Sequence, residues 1–340
     1  MWRRTKIALH TIVKHGIELV DCLTGINMHG VKTYKVNAIS TLRTVHTFVH
    51  VLSLLLIIAF SPAAIAAATQ VIHPGPETAL DTRSQYDWIV LRAALEKTRD
   101  SHGDFDLLQK TDLMNSARQL LELSIPSGRI NILAKVTTIE LEKKFLPIRI
   151  PFDLGIRGYR VLLIRKDSAA RFAAVKNISD LALFTLGQGD AWTDVKILEA
   201  AGLKVIKSGL YNSLFPMLAK GRFDAFPRAI DEAYPELDER HDTLPDLMVE
   251  PDLLLYYPMP RYFFVRRDPE GELLAKRLEI GLEAMIADGS LRALFEKHKG
   301  ELINRSKLKS RQLLTLPNPF LPPETPLKRR ELWYSPFAGK

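Results

Sequence analysis

Two periodicities alternate along the chain from about residue 70. Trp88, Ile89, Leu91, Ala93 and Leu95 recur at spacings of three and four, which predicts a helix from Gln85 to about Arg99. Short apolar runs at Gln70–His73 and Asp106–Gln109 flank it and predict strands. A helix from Met114 to about Leu123, a Ser127-Gly128 turn and a strand at Arg129–Val136 continue the rhythm. Strand and helix in alternation predict an α/β fold with a parallel sheet.

Two later segments depart from half-polar patterning. Tyr159–Ile164 (YRVLLI), apart from Arg160, and Tyr262–Val265 (YFFV) are apolar runs, the pattern of strands buried on both faces, and each is closed by a basic pair and an aspartate. They bracket about 100 residues with their own order: a strand at Leu181–Leu186, a turn at Gly187-Gln188-Gly189, and a helix from Thr193 to Ala201 stopped by Gly202. A strand at Lys204–Lys207, a helix at Tyr211–Lys220 stopped by Gly221, and a strand at Phe223–Phe226 complete it. Similar strands entering and leaving an inserted unit predict two lobes with a cleft between them. Two helices, Glu272–Asp288 and Ser290–Gly300, return to the first lobe. Beyond them Pro317, Pro319, Pro322, Pro323, Pro326 and Pro336 alternate with large apolar residues, which predicts an extended arm on the body rather than a helix, with a disordered tail as the alternative. The expected divisions are 1–68 (leader), 69–158 and 266–303 (first lobe), 159–265 (crossover strands and second lobe) and 304–340 (arm).

The leader is a matter of pattern and charge. Val51–Phe60 is a short apolar core preceded by Lys32, Lys35 and Arg43 and followed by Ser61-Pro62 and the small residues ending at Ala68, the order of a secretory signal peptide. Cleavage is expected after Ala68 or Ala66, with Met28 as the start and a periplasmic product. The uncharged stretch from Val45 to Gln70 leaves an uncleaved anchor as the alternative, against which Pro62 and the alanines weigh. Net charge is +8, yet residues 1–68 hold seven bases against two acids, leaving +3 for the rest. The basic balance therefore gives no case for nucleic acid. Cys22, the single cysteine, also lies in the leader, so no disulfide, thiolate metal site or cysteine nucleophile is expected in the body. No phosphate-binding Gly-x-x-x-x-Gly-Lys loop, Gly-x-Ser-x-Gly elbow or His-Glu-x-x-His pair occurs, and His73, His102, His241 and His298 are scattered singly. Neither a metal nor a cofactor is expected.

The crossover YRVLLIRKD, the segments LALFTLGQGDAWTDVKILEAAG and AKGRFDAFPRAIDE, and the ending LEAMIADGSLRALFEKH together resemble, in order and spacing, the periplasmic solute-binding proteins of polar-amino-acid ABC importers. The resemblance implies an α/β, two-lobed, type II periplasmic-binding-protein-like fold. Each lobe is then a sheet flanked by helices, and two crossover strands join them. It also implies an exported, non-catalytic, monomeric protein that closes on a small polar, amino-acid-like or anionic ligand and passes it to a membrane permease. In that family an arginine in the first lobe grips the ligand carboxylate and an aspartate in the second grips the amino group. The matching positions here are Glu142 and Arg228, so both signs are reversed, and a free α-amino acid bound in the usual way is disfavoured. A free-standing sensor that presents its bound form to a membrane receptor is the alternative; an enzyme is a third reading, for which no nucleophile–base pair is apparent.

The candidate site residues are Glu77, Thr138, Glu142, Gly187, Gln188, Gly189, Trp192, Tyr211 and Arg228. The glycine turn before a helix offers amides to an anion or is a plain tight turn, with Asp190 opposing an anion. Trp192 and Tyr211 stack on a ligand or pack on the lobe. Arg228, fixed by Pro227, forks onto a carboxylate or phosphate or pairs with Asp231 or Glu232. Glu77 and Glu142 are the first-lobe choices for a cationic group or are solvated acids. Arg157 and Arg160 are weaker choices for an anion.

Overall fold

A computed structural model describes residues 68–76 and 84–337. The basic and apolar parts of the leader and Glu77 lie outside the described residues. Among the described residues no helix is long and apolar enough to cross a membrane.

The first stretch runs β1 (Thr69–His73), α1 (Gln85–Lys97), α2 (Arg99–His102), β2 (Phe105–Gln109), α3 (Ser116–Ser124), β3 (Leu133–Val136), α4 (Ile139–Lys144) and β4 (Leu146–Ile148). The second is β5 (Tyr159–Arg165), α5 (Ala169–Ala173), α6 (Ile178–Leu181), β6 (Thr185–Gly189), α7 (Thr193–Ala200), β7 (Lys204–Ser208), α8 (Tyr211–Ala219), β8 (Ala225–Ala229), α9 (Ile230–Arg240), β9 (Leu247–Val249) and β10 (Leu253–Tyr256). The chain closes with β11 (Arg261–Val265), α10 (Pro269–Ala287), α11 (Ser290–Ser306) and β12 (Gln312–Thr315).

Each apolar twin is the middle strand of its own sheet. β11 lies between β3 and β4, antiparallel to both. β5 lies between β8 and β10, with β9 paired further along β5 through Leu163–Arg165. A middle strand packs on two faces, and the side chains divide as the period of two requires. Val161 and Leu163 join one core while Leu162 and Ile164 join another; Phe263 and Val265 face one core while Tyr262 and Phe264 face a third. This is why the two segments read as apolar runs, interrupted in the first by Arg160.

The sheets differ from the parallel expectation. β1–β2, β6–β7 and β6–β8 are parallel. β3 and β4 pair instead with β11, which arrives from far along the chain in the opposite sense. Helix starts follow local chemistry. Asn115, Thr138, Asn177 and Asp268 each accept the backbone N–H three residues on, capping α3, α4, α6 and α10.

Beyond the crossover strands, the C-terminal segment also visits both lobes. β12 extends the second sheet beside β10, and its prolines begin only after it, at Pro317. The chain then returns: Arg329 forks onto Glu283 of α10 at 2.6 and 3.0 Å, Leu332 is buried, and the Tyr334 amide donates to the Leu154 carbonyl at 2.7 Å. A Cβ on Gly155, which has φ +65°, would meet the Trp333 ring at 2.5 Å, so glycine there admits both the backbone turn and the docked indole.

Candidate functional site

A cavity of ≈ 290 Å³ opens between the lobes. From the first lobe come Ser116, Gln119, Lys135, Thr138 and Arg261; from the second and its approach come Arg157, Arg160, Trp192, Asp194, Arg228 and Glu232. Among the described lining residues five are cationic and two acidic.

On the first-lobe wall, Arg261 opens β11 and donates to Asp87 of α1 through both terminal nitrogens, at 2.7 and 2.5 Å. Its guanidinium also lies 5.3 Å from the Phe152 ring centre. Lys135 on β3, in register with Tyr262, donates to the Ser116 hydroxyl.

The second-lobe wall is a shared network. Arg228 at the end of β8 donates to Glu236 through Nε at 2.8 Å and Nη2 at 2.6 Å, and Nη2 is 3.0 Å from Glu232. Glu232 also receives Arg157 and lies 3.5 Å from Arg160. Arg160 pairs with Asp194 at 2.9 Å, and the Tyr257 hydroxyl donates to the same carboxylate at 2.6 Å. Burial would lower the Arg228 pKa, but Glu232 and Glu236 hold it well above its ordinary value, so the guanidinium is permanently charged. Behind the wall, burial would raise the Asp231 pKa, but Lys299 and Arg157 keep it below the usual carboxylate range.

Of the nine sequence candidates the cavity gathers three: Thr138, Trp192 and Arg228. Thr138 touches it while its hydroxyl caps α4, accepting the Leu141 amide at 3.1 Å. Trp192 lies 4.7 Å beneath the Arg228 guanidinium and parallel to Phe226, so it supports the cation as well as facing the cavity. The structural alternative for Arg228 is also present, with Glu236 added to the expected Glu232.

The other placements differ from expectation. Gly187-Gln188-Gly189 is not a turn. It is the end of β6, in register with Ile206, Lys207 and Ser208 of β7. The glycines serve packing: a Cβ would come within 2.2 Å of the Phe223 ring at Gly187 and 2.6 Å of Trp192 at Gly189. Gln188 is buried and donates to the Pro227 carbonyl at 3.2 Å. Glu142 turns away from the cavity, accepting Thr137 at 2.6 Å and Arg149 at 2.9 and 2.6 Å. Tyr211 stands behind Arg228, its hydroxyl donating to Glu236 at 2.7 Å.

Sequence reasoning missed Arg261, Lys135, Asp194 and Glu232 as lining residues and underrated Arg157 and Arg160. The available signal was an arginine heading an otherwise apolar strand, at both Arg160 and Arg261, since a cation in such a run must find a partner or a ligand. Among the described residues no cluster of His, Cys, Asp and Glu forms a metal site.

No protein-family model matches the sequence, and no curated protein does. Among solved structures the fold is similar to an ancestral arginine-binding protein bound to glutamine, at a TM-score of 0.50 and 20% identity over 68% of this chain and 98% of that one. An ancestral arginine-binding protein bound to arginine gives 0.49 and 19% over 67% and 97%. A histidine kinase sensor domain with similarity to periplasmic binding proteins gives 0.48 and 16% over 68% and 97%. With β5 and β11 central to separate sheets and a cavity between them, the chain has the two-lobed, type II periplasmic-binding-protein-like α/β fold.

Proposed function

We propose that the protein is an exported, non-catalytic solute-binding protein that closes its lobes on a small polar or anionic molecule and delivers it to the permease of an ABC importer. The observation that carries the reading is the cavity itself, walled by residues of both lobes and rich in buried guanidinium groups. Closure of such a cleft brings both walls onto one ligand and removes it from water. A volume near 290 Å³ is at the small end of ligand sites, which suits a metabolite and not a peptide. The glutamine and arginine named for the similar ancestral proteins are molecules of that size. The leader pattern supports export to the periplasm with cleavage near Ala68.

Mass spectrometry of the protein purified from its native host, followed by scattering with and without the molecule recovered, tests the proposal. One bound small molecule, released unchanged, and a smaller radius of gyration in its presence are expected. A molecule released chemically altered would point to an enzyme, and an unchanged radius with proven occupancy would refute closure.

A further inference from the structure

We infer that the ligand is a small organic anion that carries no ammonium group; the inference rests on the solute-binding reading above. A ligand ammonium needs a carboxylate with capacity to spare, and the described lining has two carboxylates. Glu232 lies among three guanidiniums, bonded to Arg157, 3.0 Å from Arg228 and 3.5 Å from Arg160. Asp194 accepts Tyr257 and Arg160, both on Oδ1, and occupies the first turn of α7, where the backbone N–H groups already favour negative charge. Its Oδ2 makes no hydrogen bond to a described residue. An ammonium docked there would lie beside Arg160, which grips the same carboxylate, so one cation would be set against another in a cleft drained by closure.

Guanidinium N–H groups on both walls have capacity to spare. Nη1 of Arg228 and Nε of Arg261, on opposite walls, make no hydrogen bonds to described residues, and Nε of Arg160 is buried without a partner. Buried N–H groups on a permanent cation seek an acceptor, and an anionic oxygen is the strongest available. Carboxylate oxygens reaching Arg228 from one side and Arg261 from the other satisfy both walls without disturbing any ion pair already formed.

The test is calorimetric titration with paired probes that differ only in the amino group: alanine and propionate, aspartate and succinate, glutamate and glutarate. In the best-fitting pair the member without the ammonium is expected to bind at least tenfold more tightly. An amino acid that binds as well as or better than its deaminated twin overturns the inference and leaves the solute-binding reading standing. No heat from any probe, with no small molecule recovered from the purified protein, overturns both.

Discussion

Arg261 and Arg228 face one cavity from opposite lobes, yet they are held differently. Arg261 has a partner of its own, a two-point bond to Asp87 reinforced by Phe152. Arg228 shares Glu232 with Arg157 and Arg160, and its remaining support is Glu236 and the rings of Trp192, Tyr211 and Phe226. A private pair confines the damage of losing one member. A shared network spreads it, because each carboxylate freed of one guanidinium pulls on the next. The first-lobe wall therefore presents a fixed cation, and the second presents one whose position depends on its neighbours.

The largest expected effect breaks the shared network. Arg228→Ala leaves the buried Glu236 carboxylate, among the described residues, with the Tyr211 hydroxyl alone and should cost about 3–5 kcal/mol of unfolding free energy. Arg228→Ala combined with Glu236→Ala should recover part of that loss. Arg261→Ala with Asp87→Ala should behave as an independent cycle, with denaturation curves giving losses that add to the first. Strong coupling between the two cycles would show that the walls are not separate.

Asp153 sharpens the comparison, since it sits in the passage between the lobes and senses an arginine from each side. Its Oδ1 accepts the Gly155 amide at 3.1 Å, while Oδ2 is buried with no hydrogen bond to a described residue. Burial pushes its pKa up to about 6, against the pull of Arg261 and Arg157. A folded value above the unfolded one means that the native state binds the proton more tightly. Stability should then fall as pH rises from about 4 to 6, by up to about 3 kcal/mol at 1.36 kcal/mol per unit. Asp153→Asn should flatten that part of the stability profile; an unchanged slope would remove Asp153 from the account.

Two smaller substitutions separate support from contact. Gly187→Ala drives a methyl into the Phe223 ring beneath the second-lobe wall and should cost about 1–3 kcal/mol through overpacking, read as a lowered Tm. Thr138→Ala removes the α4 cap on the first-lobe wall and should cost about 1 kcal/mol. A loss of ligand affinity well beyond that stability change would make Thr138 a ligand contact as well as a cap.

What was legible in the sequence follows from the range of the forces involved. The twin strands were plain because burial on two faces imprints continuous apolar runs, and α1, α7 and α8 were plain because local periodicity and glycine stops mark them. The Gly187-Gln188-Gly189 segment misled because glycine permits a turn and also permits a ring to pack against a strand; only Phe223 and Trp192, brought in by the fold, decide between them. Glu142 misled for a similar reason, since its partner Arg149 is reached only once α4 turns the side chain away from the cavity. Arg228 was legible because Pro227 and the strand end singled it out. Arg261 was not, because its partner Asp87 lies 174 residues away and no spacing rule connects them.

The central claim is that the arginines of the two walls meet one anionic molecule in the cavity. A crystal structure of the protein with its copurified molecule tests this most directly. Density is expected between the lobes, with ligand oxygens about 3 Å from Nη1 of Arg228 and from Arg261. A molecule seated elsewhere, or one whose ammonium rests on Asp194 while Nη1 of Arg228 bonds only water, would contradict it.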